Sequence, residues 1–278
     1  MEFLKSHVFT SFLIASLYFI MKNIFLTIFI ILSFTNLKAE TELEYSAYLG
    51  GLQVANILYS AELIEDDWKI KTTITASGLV DVFVSFIFFA ESNGKYINKN
   101  LISDSYNFSY EIKNKNKSRV AEINYKKGLP VSVNADPPYR NEDIPTKEFL
   151  KKYGKGASDP NSAFVVSNKF NNPCLENSKS FDGVRSYQIL MSEKSKKSKL
   201  NINNQEYETI ICRGSFNAIV GYNESDFLET ASEDNAITYW YTFFEKEKMW
   251  IPIKFTIDTP LGALVIKARE INDNSNEG

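Results

Sequence analysis

From residue 54 to residue 126, apolar and polar side chains alternate at almost every second position, which is the period of a half-buried β-strand. Ala55, Ile57, Tyr59, Ala61 and Leu63 share one face of such a run, and Trp68, Ile70, Thr72, Ile74 and Ala76 alternate with Lys69, Lys71, Thr73 and Thr75. Further on, Tyr106, Phe108, Tyr110 and Ile112 oppose Asn107, Ser109 and Glu111, while Ala121, Ile123 and Tyr125 oppose Glu122, Asn124 and Lys126. Gly50-Gly51 separates two runs and is a hairpin dipeptide. The C-terminal third repeats the pattern. Ile253, Phe255 and Ile257 face in against Lys254, Thr256 and Asp258, with turns near Glu247-Lys248 and at Thr259-Pro260-Leu261-Gly262. The run 236–244 is apolar on both faces and needs cover on each. Antiparallel strands with one wet and one dry face bury the dry one by curling. The expected fold is therefore mainly β: a highly curved antiparallel sheet, an open spiral barrel or half-barrel, with a few short helices.

Helical signals are sparse. Asp159 as N-cap and Pro160 at the first helical position open a helix through "NSAFVVSNKF". A short helix over 145–153 ends at Gly154, and one or two helical turns after Gly78 lead into a strand from about Ser85. The connection 134–158 carries Pro137, Pro138 and Pro145 and parts an N-terminal from a C-terminal group of strands. It has no linker composition, so a single domain over 40–272 is expected, with 273–278 as a disordered tail.

The stretch "MKNIFLTIFIILSFTNLKAET" from Met21 reads as a secretory leader. Lys22 is its basic region, 24–34 its apolar core and Ala39 the residue before cleavage. Residues 1–20 form a second apolar run, which is either an over-extended start or one arm of a membrane hairpin tethering the protein. Export makes the even cysteine pair, Cys174 and Cys212, a disulfide. The chain carries a net charge of −3 and becomes more acidic once Lys5, Lys22 and Lys38 are removed against one Glu2. That balance lacks the basic footprint of a nucleic-acid binder. The one histidine is His7, so the chain beyond Ala39 has no imidazole for a nucleophile–base pair or a zinc site. Neither metal nor cofactor is expected.

Other candidates for chemistry are weak. Ser92-Asn93-Gly94-Lys95 matches S-x-x-K, but Asn93-Gly94 reads as a hairpin turn rather than a helix start. Asp136, Glu142, Asp143 and Asp159 are carboxylates near the long connection, available in principle for acid–base work on a polymer. The run 192–205, with Lys194, Lys196, Lys197 and Lys199, reads as a solvated hairpin tip or a contact for anionic lipid. Tyr106, Phe108, Tyr110, Tyr239, Tyr241 and Phe243 would line the curved sheet, either as an aromatic core or as a groove for an acyl chain.

Taken in order, "YLGGLQVA", "SDPNSAF", Pro173-Cys174, "FDGVRSYQI", "ETIICRGSFNAIVGY" and "YWYTFFEKEKMWIPIKFTIDTPLGALVIKA" resemble the bacterial exported family catalogued as domain of unknown function 3108. The resemblance spans nearly all of the chain after Ala39. It implies a periplasmic or envelope component with a curved antiparallel sheet and assigns no reaction. The motif residues read structurally: Gly50 and Gly51 turn a hairpin, Asp159 and Pro160 start a helix, Asp182-Gly183 is a turn, and Pro260 with Gly262 shapes the last hairpin. The functional expectation is a non-enzymatic envelope protein that binds a lipid-like ligand, an envelope partner or a membrane surface. An envelope-polymer enzyme and a purely structural scaffold are the alternatives.

Overall fold

The computed structural model describes residues 40–139 and 145–273. The leader with its cleavage point at Ala39, and the carboxylates Glu142 and Asp143, lie outside the described residues, as do 274–278.

Fourteen strands build one antiparallel sheet. They are β1 (Glu40–Leu49), β2 (Leu52–Ile64), β3 (Asp67–Ala76), β4 (Phe86–Ile97), β5 (Asn100–Ile112), β6 (Lys117–Lys126), β7 (Leu129–Asp136), β8 (Val166–Ser167), β9 (Ser178–Phe181), β10 (Ser186–Ile202), β11 (Gln205–Val220), β12 (Ile237–Phe244), β13 (Met249–Ile257) and β14 (Leu264–Asp273). The spatial order runs β7 to β1, then β14 back to β9, with β8 beside β13. The first and last strands are thus neighbours: β1 pairs with β14 from Thr41↔Asp273 to Leu49↔Leu264. This pairing sews the two groups of strands into one continuous sheet. Strand β14 includes Asp273, the first residue of the expected tail; the rest of that tail lies outside the described residues.

Alternation is realised as read. Tyr59, Ala61, Trp68, Ile70, Ala121 and Ile123 are buried on the dry face, and Trp68, Ile70, Leu43, Tyr45, Met249, Ile251 and Ile253 belong to the largest core cluster. At the β1–β2 turn both Gly50 (φ 56°) and Gly51 (φ 86°) adopt the left-handed conformation that a two-residue hairpin demands.

The sheet curls but does not close by strand pairing. Its edges are β7 and β9, and a helix lies across the gap: α2 (Lys147–Gly154), capped by the Thr146 hydroxyl accepting from Phe149 N–H. Gly154 ends this helix so close to both edges that a Cβ there would lie 2.2 Å from Pro130 Cγ of β7 and 3.4 Å from Phe181 of β9. The turn after β9 is pressed on the same seam, with Gly183 against Ile123 and Val133. Leu150, Ala157 and Phe181 fill the joint. Covering an open edge in this way blocks pairing with other chains. Among the described residues the other α-helices are α1 (Leu79–Phe83), which leads into β4 as read, and α3 (Asp226–Ser232). Among the described residues no helix is long and apolar enough to cross a membrane.

Two local expectations are corrected. Asn93-Gly94 is not a turn: both residues lie inside β4, at a bulge opposite Ser103 and Ser105. Gly94 is there because a Cβ would fall 2.0 Å from Ile102 O and 2.7 Å from the Trp68 ring, so the dipeptide marks close packing rather than chain reversal. The run 192–205 is not simply a solvated tip. It forms the far half of the β10–β11 hairpin, turning at Asn203-Asn204, both with positive φ. Its lysines are exposed, but Ile202 is buried in the main core and Leu200 and Tyr207 pack on it.

Candidate functional site

The segment between α2 and β9 runs through the inside of the curled sheet. Asp159-Pro160 does start a helical turn, but only one: a 3-10 turn over Ser162–Phe164, after which Val166–Ser167 pairs with Trp250 and Met249 of β13. The expected helix through 170 does not form, because the next β-branched residues bury better as a strand against β13. Phe164 packs on Tyr59 (5.4 Å between ring centroids) and on Phe255 (5.3 Å), and Val165 joins the main core. The chain plugs its own sheet.

Asp159 holds the plug. It is fully buried, and its carboxylate accepts from five donors. Oδ1 takes Ser92 Oγ (2.5 Å) and the N–H groups of Asn161 and Ser162 (3.0 Å each). Oδ2 takes Ser103 Oγ (2.6 Å) and Ser162 Oγ (2.5 Å). Asn161 adds a contact of its own, its Oδ1 accepting from Thr72 Oγ1 at 3.1 Å. The cap role read for Asp159 is therefore one part of a larger one, which ties β3, β4 and β5 to the plug. A carboxylate offers about four lone-pair sites, so five donors leave it none for a substrate. The serines could not be found by sequence spacing. Ser92 stood out only in the S-x-x-K match and Ser103 carried no signal, and only the fold brings both to Asp159.

Buried tyrosines surround this anchor. Burial pushes the phenols of Tyr59, Tyr106, Tyr125 and Tyr187 up, and the nearby Asp159 charge raises them further. Raised phenols stay protonated, so none serves as a nucleophile or base near neutrality. Asp182 Oδ1 accepts from Val184 and Arg185 N–H to form the turn at Gly183, and Asp182 Oδ2 pairs with Arg185 Nε at 2.9 Å.

The six aromatic residues proposed as one ligand face fall in separate places. Tyr106 and Phe108 pack with Ala90, Ile123 and Tyr125. Tyr110 is half-buried and belongs to none of the core clusters. Tyr239 and Tyr241 stack on each other in the cluster around the disulfide. Phe243 lies against Trp250, 5.0 Å between centroids, in an outer hollow. The curl and the bulge opposite Trp240 and Tyr241 separate what a flat strand would align. Cys174 and Cys212 are bonded, joining the turn over Pro173–Leu175 to the middle of β11.

Two of the surface hollows among the described residues bear on these groups. One, about 360 Å³, has a polar wall that includes Ser103, Ser158, Ser162, Lys127, Lys179 and Glu176. Burial raises the Glu176 carboxyl, and Lys169 offsets this only in part. A carboxyl whose folded pKa is raised contributes stability that is fully present at acid pH and lost as the pH rises through that value. Glu176→Gln is thus expected to melt higher than the parent protein at neutral pH and equally below the ordinary carboxylate range of about 4.3. Thermal melts at the two pH values check this. The other hollow lies where β11 leaves β12. Their ladder stops at Ile210↔Tyr241, although β11 begins at Gln205 and β12 runs on to Phe244. Tyr207, Phe243 and Trp250 wall this cleft together with Lys197, Lys199 and Glu206.

Asp136 is exposed at the end of β7, so the carboxylates of the long connection that are described form no acid–base pair. Among the described residues, no cluster of three or more His, Cys, Asp or Glu side chains is placed to hold a metal.

No family model matches the chain, and no curated protein matches it. Among solved structures it is similar to the beta-barrel-like protein of domain of unknown function DUF1849 from Brucella abortus, with a TM-score of 0.39 and 8% identity over 84% of this chain and 96% of that one.

Proposed function

We propose that the protein is a non-enzymatic component of the cell envelope, exported to an oxidising compartment, that works as a partner-binding scaffold. The observation that carries this reading is the plug: Phe164 and Val165, anchored through Asp159, occupy the space under the sheet where a carrier would hold its ligand. The saturated carboxylate, the protonated tyrosines and the absence of histidine beyond residue 39 all weigh against an enzyme. The disulfide and the leader support export, and the ordered motifs support membership of the exported family of unknown function 3108. Open backbone edges in the β11–β12 cleft suit an added strand from a partner.

Native mass spectrometry of protein purified from the compartment to which it is exported tests the reading. The expected species is the polypeptide with its disulfide, alone or with a protein partner. An acyl lipid that co-purifies and survives mild collisional activation would overturn the scaffold in favour of a carrier.

A further inference from the structure

Soluble proteins keep large apolar side chains off their surface in contiguous patches, so a graded patch at one end of a sheet needs a reason. Such a patch lies on the outer wall around α1. Val82 and Phe83 of α1 are each 74% exposed, Leu52 in the adjoining hairpin 64%, and Leu261 in the next turn 75%. These turns touch: Ser77 N–H donates to Val54 O (3.0 Å), and Gly50 lies beside Leu261 and Gly262. Behind the rim, the outer face of β4 continues the patch with Ile87 and Phe89. Phe89 sits in a cross-strand row, Leu58↔Thr73↔Phe89↔Ser109↔Val120↔Asp136, which carries exposed apolar residues on three strands and ends on an exposed carboxylate at the β7 edge.

The outer face then changes character with distance from this end. Next after Phe89 on this face of β4 come Glu91, paired with Lys69 at 3.0 Å, then Asn93 and Lys95, the latter paired with Asp67, before Ile97 at the far end. At about 3.3 Å per strand residue, Ile87 and Phe89 span about 7 Å, whereas Glu91 lies about 13 Å from Ile87. An interfacial element buries its apolar face about 5–10 Å into the headgroup and acyl boundary. Ile87 and Phe89 fit that depth, with Glu111 opposite Ile87 the one charge on β5 at this level, and the ion pairs begin beyond it.

Charge supplies the second argument. The turn between β5 and β6 adjoins α1 through Asn114 Nδ2 donating to Phe83 O and Lys113 N–H donating to Ser85 O. It presents Lys113, Lys115 and Lys117, all exposed and, among the described residues, in no ion pair. The acidic residues of this end are Asp81, Glu111 and Asp136 nearby, and Asp258 with α3 (Asp226, Glu229) and the flanking Glu224, Glu233 and Asp234 on the far side of Leu261. The basic side is therefore the one joined to the apolar rim.

We propose that this end of the sheet docks on a bilayer carrying anionic headgroups. Val82, Phe83 and Leu52 enter the interface, Ile87 and Phe89 follow at the boundary, and the lysine turn meets the headgroups. The site lies outside the plugged interior and does not depend on the scaffold reading. A protein that fails to bind membranes can still be a scaffold, and a carrier can still dock. Cosedimentation of the exported protein with phosphatidylcholine vesicles, with and without phosphatidylglycerol, tests it. Binding is expected to the anionic vesicles, to weaken with salt and to fall about tenfold or more in the Val82→Glu/Phe83→Glu variant. Lys113→Glu/Lys115→Glu should lose the preference for anionic over zwitterionic vesicles. These side chains are exposed, so an unchanged thermal melt certifies the fold of each variant. Absence of binding, or binding that ignores the Val82/Phe83 pair, overturns the proposal. So does a dimer in solution that the same pair abolishes, which would assign the patch to a second copy.

Discussion

Asp159→Ala is expected to lower the melting temperature by about 10–20 °C, or to prevent folding altogether, when followed by circular dichroism. The substitution removes one acceptor from five donors, three hydroxyls and two backbone N–H groups, within a fully buried site. A buried donor left unpaired costs about 1–3 kcal/mol. Ser162 Oγ retains Asp159 O as a neighbour at 3.3 Å, and water entering from the serine-walled hollow satisfies part of the rest. A net loss of about 5 kcal/mol follows, and for a chain of this size each kcal/mol moves the melt by about 2–4 °C. Asp159→Asn keeps the shape but turns an amide NH2 toward hydroxyl or backbone donors, so it should fall between the two. A change below about 3 °C in the alanine variant would show that the plug is not held by this carboxylate.

Reduction of the Cys174–Cys212 bond, or the Cys174→Ser/Cys212→Ser variant, should lower stability by about 4 kcal/mol and the melt by about 8–16 °C. The bond spans 38 residues of sequence and fixes the turn over Pro173–Leu175 on β11. Without it the unfolded chain regains the freedom of that loop. The turn keeps only its local contacts, such as Asn172 Oδ1 accepting from Cys174 N–H. Both sulfur atoms sit in the cluster with Ile189, Ile237 and Tyr241, so serine would also place hydroxyls among apolar groups. Alanine at both positions separates these effects: it should recover the polar part of the loss and leave the loop part. Melts with and without reductant give the first number directly.

Strand content, the dry face and the main turns were legible because each is a local property. Tyr59, Ala61, Trp68 and Ile70 alternate with polar neighbours, and every second side chain of a strand shares a face. The disulfide was legible because the sequence has two cysteines, each with one possible partner. Helix α2 and the α1-to-β4 passage were read to within two residues for the same local reason, a glycine at one end of each. What misled was local chemistry overruled by distant contacts. Asn93-Gly94 carries a turn signature, yet Ile102 and Trp68 press against Gly94 and require a glycine inside a strand. Asp159-Pro160 signals a helix start, but the helix stops after one turn because Val166 finds Trp250 of β13.

Alternation, glycines and caps determined by themselves that this protein is a curled antiparallel sheet with few helices, since those signals act over a few residues. Tertiary structure alone decided how the curl is used. It decided that β1 meets β14, that α2 covers the seam, and that residues 157–167 fill the inside. It also dispersed the six aromatic residues and gathered Val82, Phe83, Leu52 and Leu261 on one rim. The physical reason is the sheet's curvature, which sets neighbours from distant strands together at angles that no pattern of period two encodes.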